Sequence, residues 1–187
     1  MNRKSLIIAR AGVVAALYAS LTLAFAFSSF ATATLQVRIS EALTLLPLFF
    51  PETAIGLYIG CMLGNIAGGS IVDVFVGSLA TLFAAGVGIL VRKMKPAPVK
   101  IAIAGIAVVV FNALIVPLTF TVFVGEPDLY FIEMGWVGLG ETIAVGALAV
   151  PVAIYFERRN ARKQKQVQQD TEEECAGADG NRVLKSV

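Results

Sequence analysis

Hydrophobic residues fall along this chain in long runs broken by short polar stretches. About 20 mostly apolar residues, at 1.5 Å of helical rise each, cross the hydrocarbon core of a bilayer. Six runs approach that length, at about 6–27, 35–50, 52–68, 72–91, 100–124 and 134–156. The breaks between them read SSFATAT, FFPE, AGGS, RKMKPAPVK and GEPD, the glycine, proline and small polar residues that end helices. The pattern predicts an all-α integral membrane protein, a six-transmembrane-helix bundle over residues 1–156. Beyond it, RRNARKQK gives way to DTEEE, and the charge of this segment predicts a solvated, disordered tail over 157–187.

Basic residues orient the bundle, because cytoplasmic loops carry the excess of lysine and arginine. Arg3, Lys4 and Arg10 precede or open the first run, Arg92, Lys93, Lys95 and Lys100 fill the fourth break, and Arg158 to Lys165 follow the sixth. Six crossings put all three clusters on one side, with both termini cytoplasmic. Arg38 is the one basic residue of the opposite side, among Asp73, Glu126, Asp128 and Glu133. The N-terminal NRK, apolar run and FATA also resemble a secretory signal peptide, although the run from Arg10 to Phe27 is longer than a typical signal core.

Composition adds exclusions. The 187 residues are 57% hydrophobic and 15% charged, with a net charge of +2, and mean hydropathy is +0.80. Histidine is absent and the two cysteines stand alone, so neither a metal centre nor a disulfide framework is expected. No Gly-Lys pair occurs, hence no P-loop: any ATP would be hydrolysed by partner subunits, and the chain itself needs no cofactor. A nucleic-acid partner and enzymatic activity are likewise not expected.

Ionisable residues within apolar runs are costly and mark function by default. Glu41 and Glu141 lie about six residues, roughly 9 Å, below the outer ends of their helices, while Asn65 and Asp73 flank the turn between the third and fourth runs. With Arg38 they are expected to line one outward-facing cavity. Each has a structural alternative: Arg38 reaching the interface with Glu41 neutralising it, and Asp73 capping a helix with Ser70. Asn112 forms the floor of the site or bonds a backbone carbonyl. Trp136 marks the interface or stacks on a planar ligand. Residues 42–51, 74–91, 101–125 and 142–156 hold no charge, so the inner half reads as an apolar plug, suited to a receptor rather than an ion path. Three carboxylates, Glu41, Asp73 and Glu141, against one guanidinium favour a small cationic solute, planar where Trp136 stacks on it, and a carboxylate also matches the adjacent N–H donors of a guanine-like edge.

Two small-residue stripes recur every fourth residue, which stacks them on one helix face and lets another helix approach closely. Gly56, Gly60, Gly64 and Gly68 suggest packing within the chain. Ala11, Ala15 and Ala19 suggest either internal packing or docking of another subunit.

The stretch QVRISEALTLLP, followed by GLYIGCMLGNIAGGSIVDVFVGSLATL, resembles the queuosine-precursor family of substrate-binding S-components of energy-coupling factor (ECF) transporters, across nearly all of residues 6–156. The resemblance implies a six-helix receptor in a prokaryotic plasma membrane that captures 7-aminomethyl-7-deazaguanine from outside. It also implies partners: a membrane T-component, on which Ala11, Ala15 and Ala19 would dock, and two cytoplasmic ATPases. The tail departs from the compact family pattern. Other readings of the same residues are an S-component for another heterocyclic solute, a stand-alone secondary transporter, or a membrane assembly factor.

Overall fold

The computed structural model describes residues 2–26, 39–67, 71–124 and 128–184, and among these it consists of helices joined by short turns, with no strand. In order come α1 (Arg3–Ala26), two 3-10 segments (Ile39–Leu43 and Leu46–Leu48), α2 (Thr53–Ala67), α3 (Ile71–Val91), α4 (Ala97–Val124), α5 (Leu129–Ala144), a π-turn (Val145–Ala149) and α6 (Val150–Leu184). Four stretches, Arg3–Ala24, Ile71–Val91, Ala97–Leu118 and Leu129–Glu172, are long and apolar enough to cross a membrane; Ile39–Leu48 and Thr53–Ile66 are apolar but shorter. The protein is therefore a multi-pass membrane protein.

Glycines set the arrangement of the first two helices. A Cβ on Gly56 would strike the carbonyl of Ala11, one on Gly60 would lie 2.8 Å from the Ala15 carbonyl oxygen, and one on Gly64 would lie 2.8 Å from Thr22 Cγ2. The pairs ascend together, so α1 and α2 run parallel. Consecutive parallel helices require the chain between them to return along the bundle, and the short apolar segment before α2 completes that return. Its end is pinned beside the start of α1: Arg10 forms an ion pair with Glu52 at 2.8 Å and lies 4.7 Å from the centre of the Phe50 ring.

This segment departs from the helix predicted over 35–50. Pro47 and Pro51 lack the backbone N–H that an α-helix interior needs, and their rings clash with the preceding turn. Thr44 instead donates its hydroxyl to the Glu41 carbonyl at 2.6 Å, and the chain takes tighter 3-10 turns. At about 2 Å per residue these span more length than an α-helix of equal count, so few residues suffice for the return.

The remaining helices follow antiparallel neighbours. Asn65 on α2 reaches Asp73 on α3, Phe83 on α3 lies 5.9 Å from Phe111 on α4, and Gly105 on α4 faces Val145. A hydrocarbon cluster including Leu45, Leu48, Ala84, Val91, Ile101, Ala104, Val108, Val145 and Ala149 fills the half of the bundle nearer the Arg10 end. That is where the charge-free stretches predict an apolar plug. The π-turn directly precedes Pro151, whose missing N–H and ring loosen the turn before it.

The chain divides into Met1–Ala153 and Ile154–Val187. In the second unit α6 is helical as far as Leu184. Residues 157–172 contain neither glycine nor proline and are mostly Arg, Lys, Gln and Glu, strong helix formers even when solvated. High charge predicts that such a segment builds no core, but it does not forbid a helix.

Candidate ligand site

Glu41 sits in the first 3-10 segment, which packs against α1, α5 and the π-turn. Its carboxylate is fully enclosed, at 0% exposure, and Tyr18 of α1, 1% exposed, donates its hydroxyl to Oε1 at 2.5 Å. Glu141, 2% exposed, lies on α5 one turn before the π-turn. Two carboxylates from segments distant in sequence thus occur on packed neighbours inside an apolar bundle.

Their layer continues through the other helices. Tyr18 packs on Gly60, and Cys61, the next residue of α2, accepts a weak bond from Thr81 of α3 at 3.6 Å. On α4, Asn112 is adjacent to Ala113, which faces Gly138 of α5, three residues before Glu141. Ser40, Ser78, Thr81 and Asn112 are all buried. Asn112 Nδ2 donates to the Val108 carbonyl at 3.0 Å, the backbone bond expected as one alternative. Its Oδ1, with the hydroxyls of Ser40 and Ser78, is buried with no hydrogen-bond partner among the described residues. Such groups each cost about 1–3 kcal/mol when left unsatisfied.

Asn65 and Asp73 form a second, shallower cluster. Asn65 Nδ2 donates to the Asp73 carbonyl at 2.7 Å and approaches Cys61 Sγ at 3.5 Å. A side chain on Gly77 would meet Asn65 at 3.3 Å, so this glycine makes room for the amide. Asn65 is thereby committed to tying α2 to α3, while Asp73 is half-buried in the first turn of α3. Trp136 is 37% exposed and lies more than a turn from Glu141 on α5, outside the buried layer. Arg38, Gly68, Ser70 and the SSFATAT connection lie outside the described residues.

The alanine stripe is placed on the covered side of α1. Ala15 and Ala19 are buried and Ala11 is half-buried, with the carbonyls of Ala11 and Ala15 under Gly56 and Gly60. The exposed ridge of α1 is instead Ile8, Gly12, Ala16, Ser20 and Ala24. Sequence reasoning passed over Tyr18, Ser40, Ser78 and Thr81 because none is ionisable at neutral pH and each has the composition of an ordinary buried residue. The one available signal was that Tyr18 is a lone tyrosine within an alanine-rich helix.

The fold and the buried layer define a multi-pass helical membrane protein that encloses carboxylates within an apolar bundle. Residues 8–158 match the family model described as QueT transporter, and the chain belongs to that family. Over 78 residues it is 38% identical to the queuosine precursor transporter QueT of Lactococcus lactis subsp. cremoris (strain MG1363). The match covers 42% of this chain and 46% of that relative, so the chain spans about half the length of the curated relative it matches. No solved structure matches.

Proposed function

We propose that this chain is the substrate-binding subunit of an ATP-driven ECF-type importer in a prokaryotic plasma membrane, with six crossings and both termini cytoplasmic. It captures a queuosine precursor, 7-aminomethyl-7-deazaguanine, at the layer that holds Glu41 and Glu141. The observation that carries this reading is the enclosed polar layer itself. A planar solute with a cationic amine and several N–H and carbonyl groups offers charge for the carboxylates and partners for Ser40, Ser78 and Asn112. The relative's name supports the same solute class.

Because both carboxylates are closed off, entry requires the 3-10 segment to part from α5. Tyr18 positions Glu41 during that opening. The energetic step of transport then falls to a T-component and two ATPases, consistent with the absence of a P-loop from this sequence. The exposed Gly12, Ala16 and Ser20 ridge is the surface of α1 available to such a scaffold.

Calorimetric titration of the detergent-solubilised protein with 7-aminomethyl-7-deazaguanine tests the reading. Saturable binding without ATP is expected, competed only weakly by guanine. Glu141→Gln should weaken it roughly 10- to 100-fold, the loss of a charged hydrogen bond worth about 1.5–3 kcal/mol. Folded protein that does not bind would remove this ligand. Uptake into vesicles containing this chain alone would instead show a secondary transporter.

A further inference from the structure

A second site lies away from the carboxylates. Leu82, Phe83, Gly86, Val87, Ile89 and Leu90 of α3, with Phe111 of α4, line an open groove of about 470 Å³. Its floor exists because position 86 has no side chain: nothing lies within 4 Å of where a Cβ would stand. The Phe83 and Phe111 rings, 5.9 Å apart, bound one end. From Leu82 to Leu90 the groove follows about 12 Å of helix.

The other end opens toward cations. α3 stops at Val91, and Arg92, Lys93 and Lys95 follow it, all exposed. No acidic residue occurs between Val74 and Gly125 to neutralise them within this hairpin. Lys100 is different, being buried with its ammonium 5.8 Å from the centre of the Phe49 ring. The groove thus runs as an open apolar cleft toward exposed cations at the end of the bundle where lysine and arginine collect.

We propose that this groove binds one anionic phospholipid, with an acyl chain along Gly86 and the phosphate held by Arg92 and Lys93. Charge selects this occupant. A zwitterionic lipid sets its own ammonium beside its phosphate and brings no net charge to the cations, whereas an anionic headgroup leaves the phosphate charge uncompensated at the groove's mouth. The site is independent of the solute layer, since none of its lining residues belongs to that layer.

Native mass spectrometry of the full chain in detergent, offered phosphatidylglycerol or phosphatidylcholine with identical acyl chains, reads the proposal directly. Phosphatidylglycerol should be retained at least about tenfold over phosphatidylcholine. Arg92→Gln combined with Lys93→Gln should bring that ratio close to one. Gly86→Leu, whose Cβ meets open space and whose side chain favours the helix, should not lower the thermal midpoint and should reduce retention of both lipids. Equal retention by the unaltered protein, or retention indifferent to Gly86→Leu, would overturn it. A photoreactive residue at Leu90 in whole membranes separates the remaining occupants: lipid adducts support the site, and capture of a polypeptide instead rejects it.

Discussion

The two faces of α1 carry nearly the same sequence signal and have opposite fates. On one, Ala11, Ala15 and Ala19 are spaced by four; on the other, Gly12, Ala16 and Ser20 are too. The first lies under Gly56 and Gly60 of α2, while the second is exposed and nothing lies within 4 Å of a Cβ placed on Gly12. Small side chains permit close approach without deciding which face receives it. The decision comes from the partner: α2 brings a glycine ridge, and Tyr18, on the covered side, must reach the carboxylate of Glu41.

The most severe way to break this difference is to fill the covered face. Gly60→Val would push carbons into the Ala15 carbonyl oxygen and Tyr18 Cβ, each already 2.8 Å from a single added carbon. Backbone cannot yield as a side chain does, so the substitution should cost about 3 kcal/mol. Thermal unfolding in detergent should show a large loss of stability or no folded protein. An unchanged midpoint would mean that α1 and α2 are not in this contact.

Tyr18→Phe makes a narrower cut, since it keeps the ring and the Cβ that meets Gly60 and removes only the hydroxyl from Glu41. Stability should fall by about 1 kcal/mol, the net worth of one hydrogen bond. Solute affinity should drop more than stability alone explains, because Glu41 loses its positioning. A double variant with Glu41→Gln separates the two effects: if Tyr18 acts through Glu41, the second substitution adds little to the first.

These contacts show what was legible in the sequence and what was not. Helical class, the glycine ridge of α2, the apolar half and the inward placement of Glu41 and Glu141 follow from depth, spacing and charge, which are local properties. The course of residues 39–50 did not follow, because hydropathy registers Leu43 to Phe50 as one run and is blind to the two prolines that forbid an α-helix. Asn65 and Asp73 are grouped with the carboxylates by depth alone; the bond from the Asn65 amide to the Asp73 carbonyl, which ties α2 to α3, is a tertiary contact that depth does not reveal. Tyr18 was invisible for another reason. A phenol becomes part of a polar site only through the carboxylate it meets, and that meeting joins residues 23 positions apart in the chain.

A smaller effect is expected where the covered face ends. The Arg10 guanidinium donates to Glu52 and, with lesser help from nearby charge, holds its carboxyl below the ordinary value of 4.5. A lowered folded pKa means the unfolded chain binds the proton more readily, so the pair stabilises the fold above about pH 4.5 and that contribution is lost as pH falls through the folded value. Arg10 is partly exposed, which limits the gain to about 0.5 kcal/mol. Arg10→Gln should therefore lower the unfolding midpoint slightly at pH 7 and converge with the unaltered protein in acid. A difference that persists in acid would assign the effect to the Phe50 ring contact instead.

The smallest change in stability should come from the open face. Ala16→Leu adds carbons where the helix is exposed, so unfolding should move by no more than about 0.5 kcal/mol. Solute binding by the isolated chain should also persist, since Ala16 touches none of the polar layer. If the chain is the proposed ECF subunit, what should change is assembly: a scaffold helix lying on Gly12, Ala16 and Ser20 would need the small side chain, and co-purification with a T-component should fall sharply. The covered stripe offers the opposing expectation, because Ala15→Leu should damage folding before any partner is added. If Ala16→Leu leaves assembly intact while the folded chain still binds solute, the open ridge is a lipid-facing surface, and docking must use another helix.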